Sequence, residues 1–236
     1  MATEAASYAL IIPALNEADS IGPLLAQVPI GLFSQIIVVD NGSRDSTAEV
    51  ARASGADVVW EPRLGYGRAC LAGLARVRSG TTGVVFMDAD LSDDPADLGP
   101  LTAALRSGSW DLVIGSRVLG NRESGSLTAL QRFGNWLATR LIRCLWGASF
   151  TDLGPLRALR MDAIRRLDLR DPSFGWNVEM QAKAARLRLR ATEVPVSYRR
   201  RRFGKSKISG TLQGSMAAGI QILVTVYRCW RHDAAA

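Results

Sequence analysis

Histidine is almost absent from this chain. Among 236 residues only His232 occurs, near the C-terminal end. A mechanism that needs an internal imidazole is excluded, whether a Ser-His-Asp triad, an HExxH helix or a histidine-rich metal site. Cysteine is nearly as scarce. Cys70, Cys144 and Cys229 lie far apart with no CxxC pair, so neither a zinc ribbon nor a dense disulfide framework is available. Long hydrophobic runs are missing too. The late apolar run Met216–Val226 is interrupted by Gln221, and a membrane span takes about 20 residues. No signal peptide is visible: Glu4 stands where a basic stretch is needed, and the first apolar run stops at Pro13. The expected location is cytoplasmic, either free or peripheral on the inner face of the cell membrane.

What is present is an ordinary globular composition, 47% hydrophobic and 22% charged, which excludes wholesale disorder. The length fits one large domain, or one domain with a short appendage. The net charge is +7, and it is unevenly spread. Between Met180 and Gly210 stand ten basic residues against the single acid Glu193. Such a block either seeks phosphate or forms a solvated arginine face.

The first half alternates short β-branched runs with helical patterns. Strands are predicted at Tyr8–Ile12, Gln35–Asp40, Ala56–Trp60, Val84–Met87 and Leu112–Ile114, with helices at Ser20–Val28, from Asp45 or Ser46 to about Ser54, at Tyr66–Arg78 and from Pro95. Strands spaced by helices imply crossover units and a mostly parallel sheet, whose ligands bind outside the carboxyl ends of the strands. Those ends carry Asn16 and Glu17, Asp40, Asp88 and Asp90, and Arg117. Later, Gln131–Trp146 sets Phe133, Trp136, Leu137, Leu141, Cys144 and Leu145 at helical spacing with Arg132, Arg140 and Arg143 among them. It reads either as an amphipathic helix at a membrane interface or as an ordinary packing helix. Trp176–Leu187 reads as a helix, Thr192–Tyr198 as a strand, Arg199–Gly210 as a basic loop and Thr211–Trp230 as a closing amphipathic helix.

Asp88-Ala89-Asp90 offers two carboxylates one residue apart after a buried strand. Hard oxygen ligands of this kind suit Mg²⁺ or Mn²⁺, whose shell is completed by water and substrate phosphate. With Asp93, Asp94 and Asp97 nearby, the alternative reading of the stretch is a solvated acidic loop; placement after a buried strand in a crossover fold favours the metal reading. Asp40 suits either a hydrogen bond to a nucleoside or a turn before Asn41-Gly42. Gly65-Tyr66-Gly67 would let backbone approach a phosphate, although neither GxGxxG nor GxxxxGK[ST] occurs. A nucleic-acid binder is not expected, because paired aspartates repel phosphate.

Seven segments, taken in order, resemble glycosyltransferase family 2 with the GT-A fold, and the polyprenyl-phosphate sugar synthases in particular. They are Ile12-Pro13-Ala14-Leu15-Asn16-Glu17, the stretch Val38 to Thr47, Met87-Asp88-Ala89-Asp90-Leu91, Ile114-Gly115-Ser116-Arg117, Thr151 to Arg157, Glu193-Val194-Pro195-Val196, and Arg201 to Lys207. The resemblance implies a GT-A (Rossmann-like) α/β domain over residues 1–200, with residues 201–236 as a basic loop and helix appended to it. It implies an inverting enzyme that moves a hexose from a nucleotide sugar, of the UDP-glucose or GDP-mannose type, to a polyprenyl phosphate or other lipid acceptor.

By the same resemblance, Pro13, Leu15, Asn16, Glu17, Asp40, Gly67, Asp88, Ala89, Arg117, Arg132, Arg201 and Lys207 would bind substrate. Asp88 and Asp90 would hold Mg²⁺ or Mn²⁺, and Asp90, Asp152 and Arg117 would be catalytic. A phosphate acceptor needs cations and no base. A hydroxyl acceptor, the alternative, needs a carboxylate, and Asp152 is the candidate with Glu179 second. Glu179 reads rather as a buried structural partner for the many arginines. The chain departs from the family pattern at Asn41, Ser92 and Gly154-Pro155-Leu156. A homo-oligomer is left open.

Overall fold

The computed structural model describes residues 7–203 and 212–233. Seven strands form one sheet: β1 (Tyr8–Ala14), β2 (Gln35–Asp40), β3 (Asp57–Trp60), β4 (Gly83–Phe86), β5 (Leu112–Ser116), β6 (Arg157–Arg160) and β7 (Ala191–Pro195). Their order is β3-β2-β1-β4-β6-β5-β7. All neighbours run parallel except β6, which is antiparallel to both β4 and β5. The helices are α1 (Ala18–Gln27), α2 (Thr47–Ala53), α3 (Tyr66–Arg76), α4 (Leu98–Arg106), α5 (Ala129–Trp146), α6 (Met161–Leu167), α7 (Trp176–Arg186) and α8 (Leu212–Asp233). A short 3₁₀ turn at Pro95–Asp97 leads into α4.

The unbroken apolar runs in β1, β2 and β4 follow from burial on both faces. In β1, Tyr8, Leu10 and Ile12 face a core completed by Ile21 and Leu24 of α1 and Leu98, Leu101 and Leu105 of α4. Ala9 and Ile11 face the other core, with Cys70 of α3, Ile164 of α6, and Trp176 and Met180 of α7. A smaller cluster joins Ile142 of α5, Ala182 and Ala185 of α7, and Cys229 of α8. The closing helix is therefore packed onto α5 and α7.

Helix α5 starts two residues earlier than its periodicity suggested. Thr128 accepts the Gln131 backbone N–H, and the Gln131 side chain returns the bond to the Thr128 N–H, a reciprocal cap. Gly147, with φ +74, closes it. Elsewhere the predicted elements hold within one to three residues, apart from β6 and α6, which the sequence did not suggest.

Candidate active site

The carboxyl ends of β1, β2, β4 and β5 share one edge of the sheet, and the polar residues after them converge there. The first two turns are laced together. Asn16 adopts φ +50, its Oδ1 accepts the Arg44 N–H at 2.7 Å, and its own N–H donates to Ser43 Oγ at 2.9 Å. The Glu17 N–H donates to Thr47 Oγ1 at 2.8 Å. Asp40 engages one oxygen in the turn: its Oδ1 accepts the Ser43 N–H at 2.8 Å. Asn41 explains one departure from the family pattern. Its Nδ2 donates to the Glu61 and Arg63 carbonyls at 3.0 and 2.9 Å, which an aspartate at this position cannot do.

An acidic cluster follows β4. Asp90 Oδ1 accepts the Ser92 N–H at 2.9 Å, and Oδ2 pairs with Arg201 at 2.8 Å. The same guanidinium reaches Glu17 Oε1 at 2.9 Å. Arg201 thus ties the β1 end to the β4 end. Asp88 Oδ1 is buried without a hydrogen-bond partner, and both oxygens of Asp93 share that condition. Burial, then the charge of Asp90, pushes the Asp88 carboxyl up to about 7. Burial and the same two neighbours, Asp88 and Asp90, also raise Asp93 well above the carboxylate range. The Tyr66 hydroxyl lies beside Asp88, and burial raises it as well.

These orphaned buried oxygens fit a hard divalent cation. Among the described residues no group of three or more Asp, Glu, Cys or His ligands converges on one point. The donor set is that of a cation completed by water and substrate phosphate rather than an all-protein cage.

The β5 end is a second, separate charge unit. Arg117 donates through Nε and Nη2 to Asp152 at 2.7 and 2.8 Å, and its backbone N–H adds a third bond at 2.8 Å. Asp152 is fully buried, and its Oδ1 also accepts the Leu153 N–H at 2.8 Å. Burial alone lifts this carboxyl, but the Arg117 bonds and charge outweigh it and hold it below the usual range. A carboxylate with both oxygens committed and no exposure does not suit the base role assigned to Asp152. It positions Arg117 instead. Glu193 accepts the Thr151 and Asp152 N–H groups and so holds the loop that carries it. Arg117 also lies over the Tyr198 ring, 4.9 Å from its centroid. A cleft of about 770 Å³ opens beside it, lined by Arg117, Asn121, Arg122, Ser197, Tyr198 and Arg199.

Packing alone requires a glycine at Gly67: a Cβ there would lie 1.9 Å from the Asp171 carbonyl oxygen. Glu179 takes its structural reading: it accepts the Arg170 and Asp171 N–H groups and pairs with Lys183 at 2.7 Å. Of the remaining predicted residues, Pro13 and Leu15 are half-buried, Ala89 is buried and Arg132 is exposed at the start of α5. Lys207 lies outside the described residues. Sequence reasoning missed Tyr66, Asp93, Glu193 and Tyr198 as parts of the site. It also missed Arg157, a fully buried arginine that burial pushes down to about 10 and that donates to the Gly154 and Asn177 carbonyls.

The family described as Glycosyl transferase family 2 matches residues 9–168. An uncharacterized glycosyltransferase of Mycobacterium tuberculosis is 40% identical over 89% of the chain and 93% of the relative. An undecaprenyl-phosphate mannosyltransferase of Micrococcus luteus is 32% identical over 89% of the chain and 90% of the relative. Among solved structures, glucosyl-3-phosphoglycerate synthase of Mycobacterium tuberculosis, crystallised with Mn²⁺, UDP-glucose and phosphoglyceric acid, superimposes with a TM-score of 0.74. It is 25% identical, over 95% of the chain and 80% of the synthase.

Proposed function

The chain belongs to glycosyltransferase family 2, and from that premise we propose that it moves a hexose from a nucleotide sugar to a polyprenyl phosphate at a membrane surface, with inversion. One observation carries the choice of acceptor. The carboxylate nominated as base for a hydroxyl acceptor, Asp152, is spent on Arg117. A phosphate monoester carries about −1.5 to −2 charge at pH 7 and needs no base. Its demand is for cations, and Arg122 and Arg199 line the adjoining cleft together with Glu123, beside the Arg117–Asp152 pair. The undecaprenyl-phosphate acceptor in the name of the Micrococcus relative supports the same reading.

In this reading Glu17 and Asp40 face the nucleoside, and Asp88 and Asp90 face the diphosphate. A cation of the Mg²⁺ or Mn²⁺ kind held by Asp88 and Asp90 supplies charge neutralisation for the leaving group. The acceptor phosphate oxygen forms the new bond to the anomeric carbon as the bond to the diphosphate breaks, and the nucleoside diphosphate departs with the electron pair. Arg201, bridging Glu17 and Asp90, is available to follow the diphosphate charge as it develops.

The membrane and cytoplasmic assignments belong to the same proposal. No described helix is long and apolar enough to cross a membrane. Phe133 and Trp136 on α5, and Tyr227 and Trp230 on α8, are exposed and paired. Arg132, Arg140, Arg143, Arg228 and Arg231 flank them, and α5 holds no acid. Aromatic rings among cations suit an anionic lipid interface.

The test is transfer by purified protein from UDP-glucose or GDP-mannose with Mg²⁺ or Mn²⁺, with and without a short polyprenyl phosphate. Polyprenyl-dependent release of one nucleoside diphosphate, lost in Asp90→Ala, is expected. Metal-dependent donor binding without polyprenyl-dependent turnover would overturn the acceptor assignment.

A further inference from the structure

Asp171 lies in the loop between α6 and α7, outside every motif that the proposed chemistry uses. Its carboxylate is buried and is held by neutral donors. Oδ1 accepts the Ser173 N–H at 2.8 Å. Oδ2 accepts Gln221 Nε2 at 3.0 Å and Thr225 Oγ1 at 3.2 Å, both from α8. Gly175 is kept bare by this contact, because a Cβ there would meet Asp171 Oδ2 at 2.2 Å and Thr225 Oγ1 at 2.4 Å.

The backbone of the same residue and its neighbour presses on the start of α3. A Cβ at Gly65 would lie 2.2 Å from the Pro172 carbonyl oxygen, and one at Gly67 would lie 1.9 Å from that of Asp171. The Pro172 carbonyl accepts the Arg68 N–H at 3.1 Å, a first-turn amide with no partner inside its own helix. Between the two glycines stands Tyr66, whose buried hydroxyl neighbours Asp88. Contacts this close have no slack.

We propose that Asp171 is a positioning residue that couples the placement of α8 to the acid pair Asp88 and Asp90, acting through Pro172 and the first turn of α3. The inference rests on the reading that those acids face the donor. Helix α8 follows the basic segment that carries Arg201, so the C-terminal unit reaches the acids by two routes. Arg201 touches Asp90 directly. Asp171 works from behind, through Tyr66. A greasy anchor would have held α8 equally well; a carboxylate shared by two α8 donors and a loop amide also fixes direction and register.

The test uses the full chain with Thr225→Val, a near-isosteric change, and with Gln221→Met in case the first variant does not fold. Asp111→Asn is the control. It loosens the Arg190 pair at the opposite edge of the sheet, where Asp111 accepts Nη2 at 2.8 Å. Without ligand, amide exchange over residues 65–72 is expected to speed up by about tenfold in the α8 variants, the loss of one hydrogen bond, while α2 is unmoved. The apparent Kd for UDP or GDP with Mn²⁺ is expected to weaken several-fold in the α8 variants and to stay unchanged in Asp111→Asn. Unchanged exchange over 65–72, or a rise equal to that in the control, overturns the proposal. Absence of nucleotide binding by the wild type would sink the donor reading alone, because the exchange experiment needs no ligand.

Discussion

Replacing Asp88 with asparagine should have two opposite effects. The carboxyl is buried with Oδ1 unpartnered, and burial followed by the Asp90 charge lifts it from 3.8 to about 7. A carboxyl that holds its proton more tightly folded than unfolded withdraws stability as pH rises. The loss begins near the unfolded pKa, about 4, and is complete above the folded one, about 7. At about 1.36 kcal/mol per pH unit the ceiling is about 4 kcal/mol at pH 8. Asparagine has the same shape and no charge, so it escapes the loss. In a chain of this size 1 kcal/mol moves Tm by roughly 2–4 °C, which puts the ceiling at roughly 8–16 °C. At about pH 5 only about a third of the loss has accrued, and the gain should shrink to roughly 3–6 °C. The assay is thermal unfolding of both proteins at the two pH values, repeated with UDP or GDP plus Mn²⁺. The variant should gain more at pH 8 than at pH 5 and should lose the nucleotide-dependent rise in Tm. A gain that is flat with pH, or a nucleotide-dependent rise that survives, would refute the reasoning.

Asp152→Ala leaves Arg117 buried and unpaired, at an expected cost of about 3–5 kcal/mol, read from the urea midpoint; the double change Arg117→Leu with Asp152→Leu should recover part of it. Gly67→Ala forces a methyl into the Asp171 carbonyl and should cost about 3 kcal/mol or abolish soluble expression, whereas near-wild-type stability would mean that the loop yields easily. Asn41→Asp removes two donors from the loop after β3 and should cost about 1–3 kcal/mol by chemical denaturation. Vesicles containing anionic phospholipid should float the protein at low salt and release it at about 0.5 M salt. Phe133→Ser with Trp136→Ser should weaken that flotation, and wild-type protein that stays in the soluble fraction would remove the membrane from the proposal.

The parallel half of the fold was legible because each strand buried on both faces writes an unbroken apolar run, and each run ends on a polar residue at the site edge. Strand β6 was not legible. Its four residues, Arg157–Arg160, begin and end with arginine, and only the pairing to β4 and β5 makes them a strand. Asp93 could be read as solvated because it stands in the acidic run that includes Asp94 and Asp97; burial of its side chain is set by tertiary packing beside Tyr198. Asp152 stood out as a candidate base, but spacing carries no information about which arginine will consume it. Gly65 and Gly67 were noticed as glycines, and the loop that requires them lies about a hundred residues further along the chain.

The reversed strand has an effect on charge as well as topology. With β6 between them, the ends of β4 and β5 are two strand spacings apart, roughly 9–10 Å. Adjacent parallel strands would have set Asp88 and Arg117 against each other, and the two charges would have quenched at the sheet edge. β6 works as a spacer: the Arg117 charge still reaches Asp88 and Asp93, but it makes no ion pair with them. The loop leading into it delivers Asp152 to Arg117 as a private counter-ion, while Asp88 and Asp93 after β4 keep buried oxygens without a partner. One antiparallel strand thus separates a carboxylate cluster that calls for cations from an ion pair that is already satisfied.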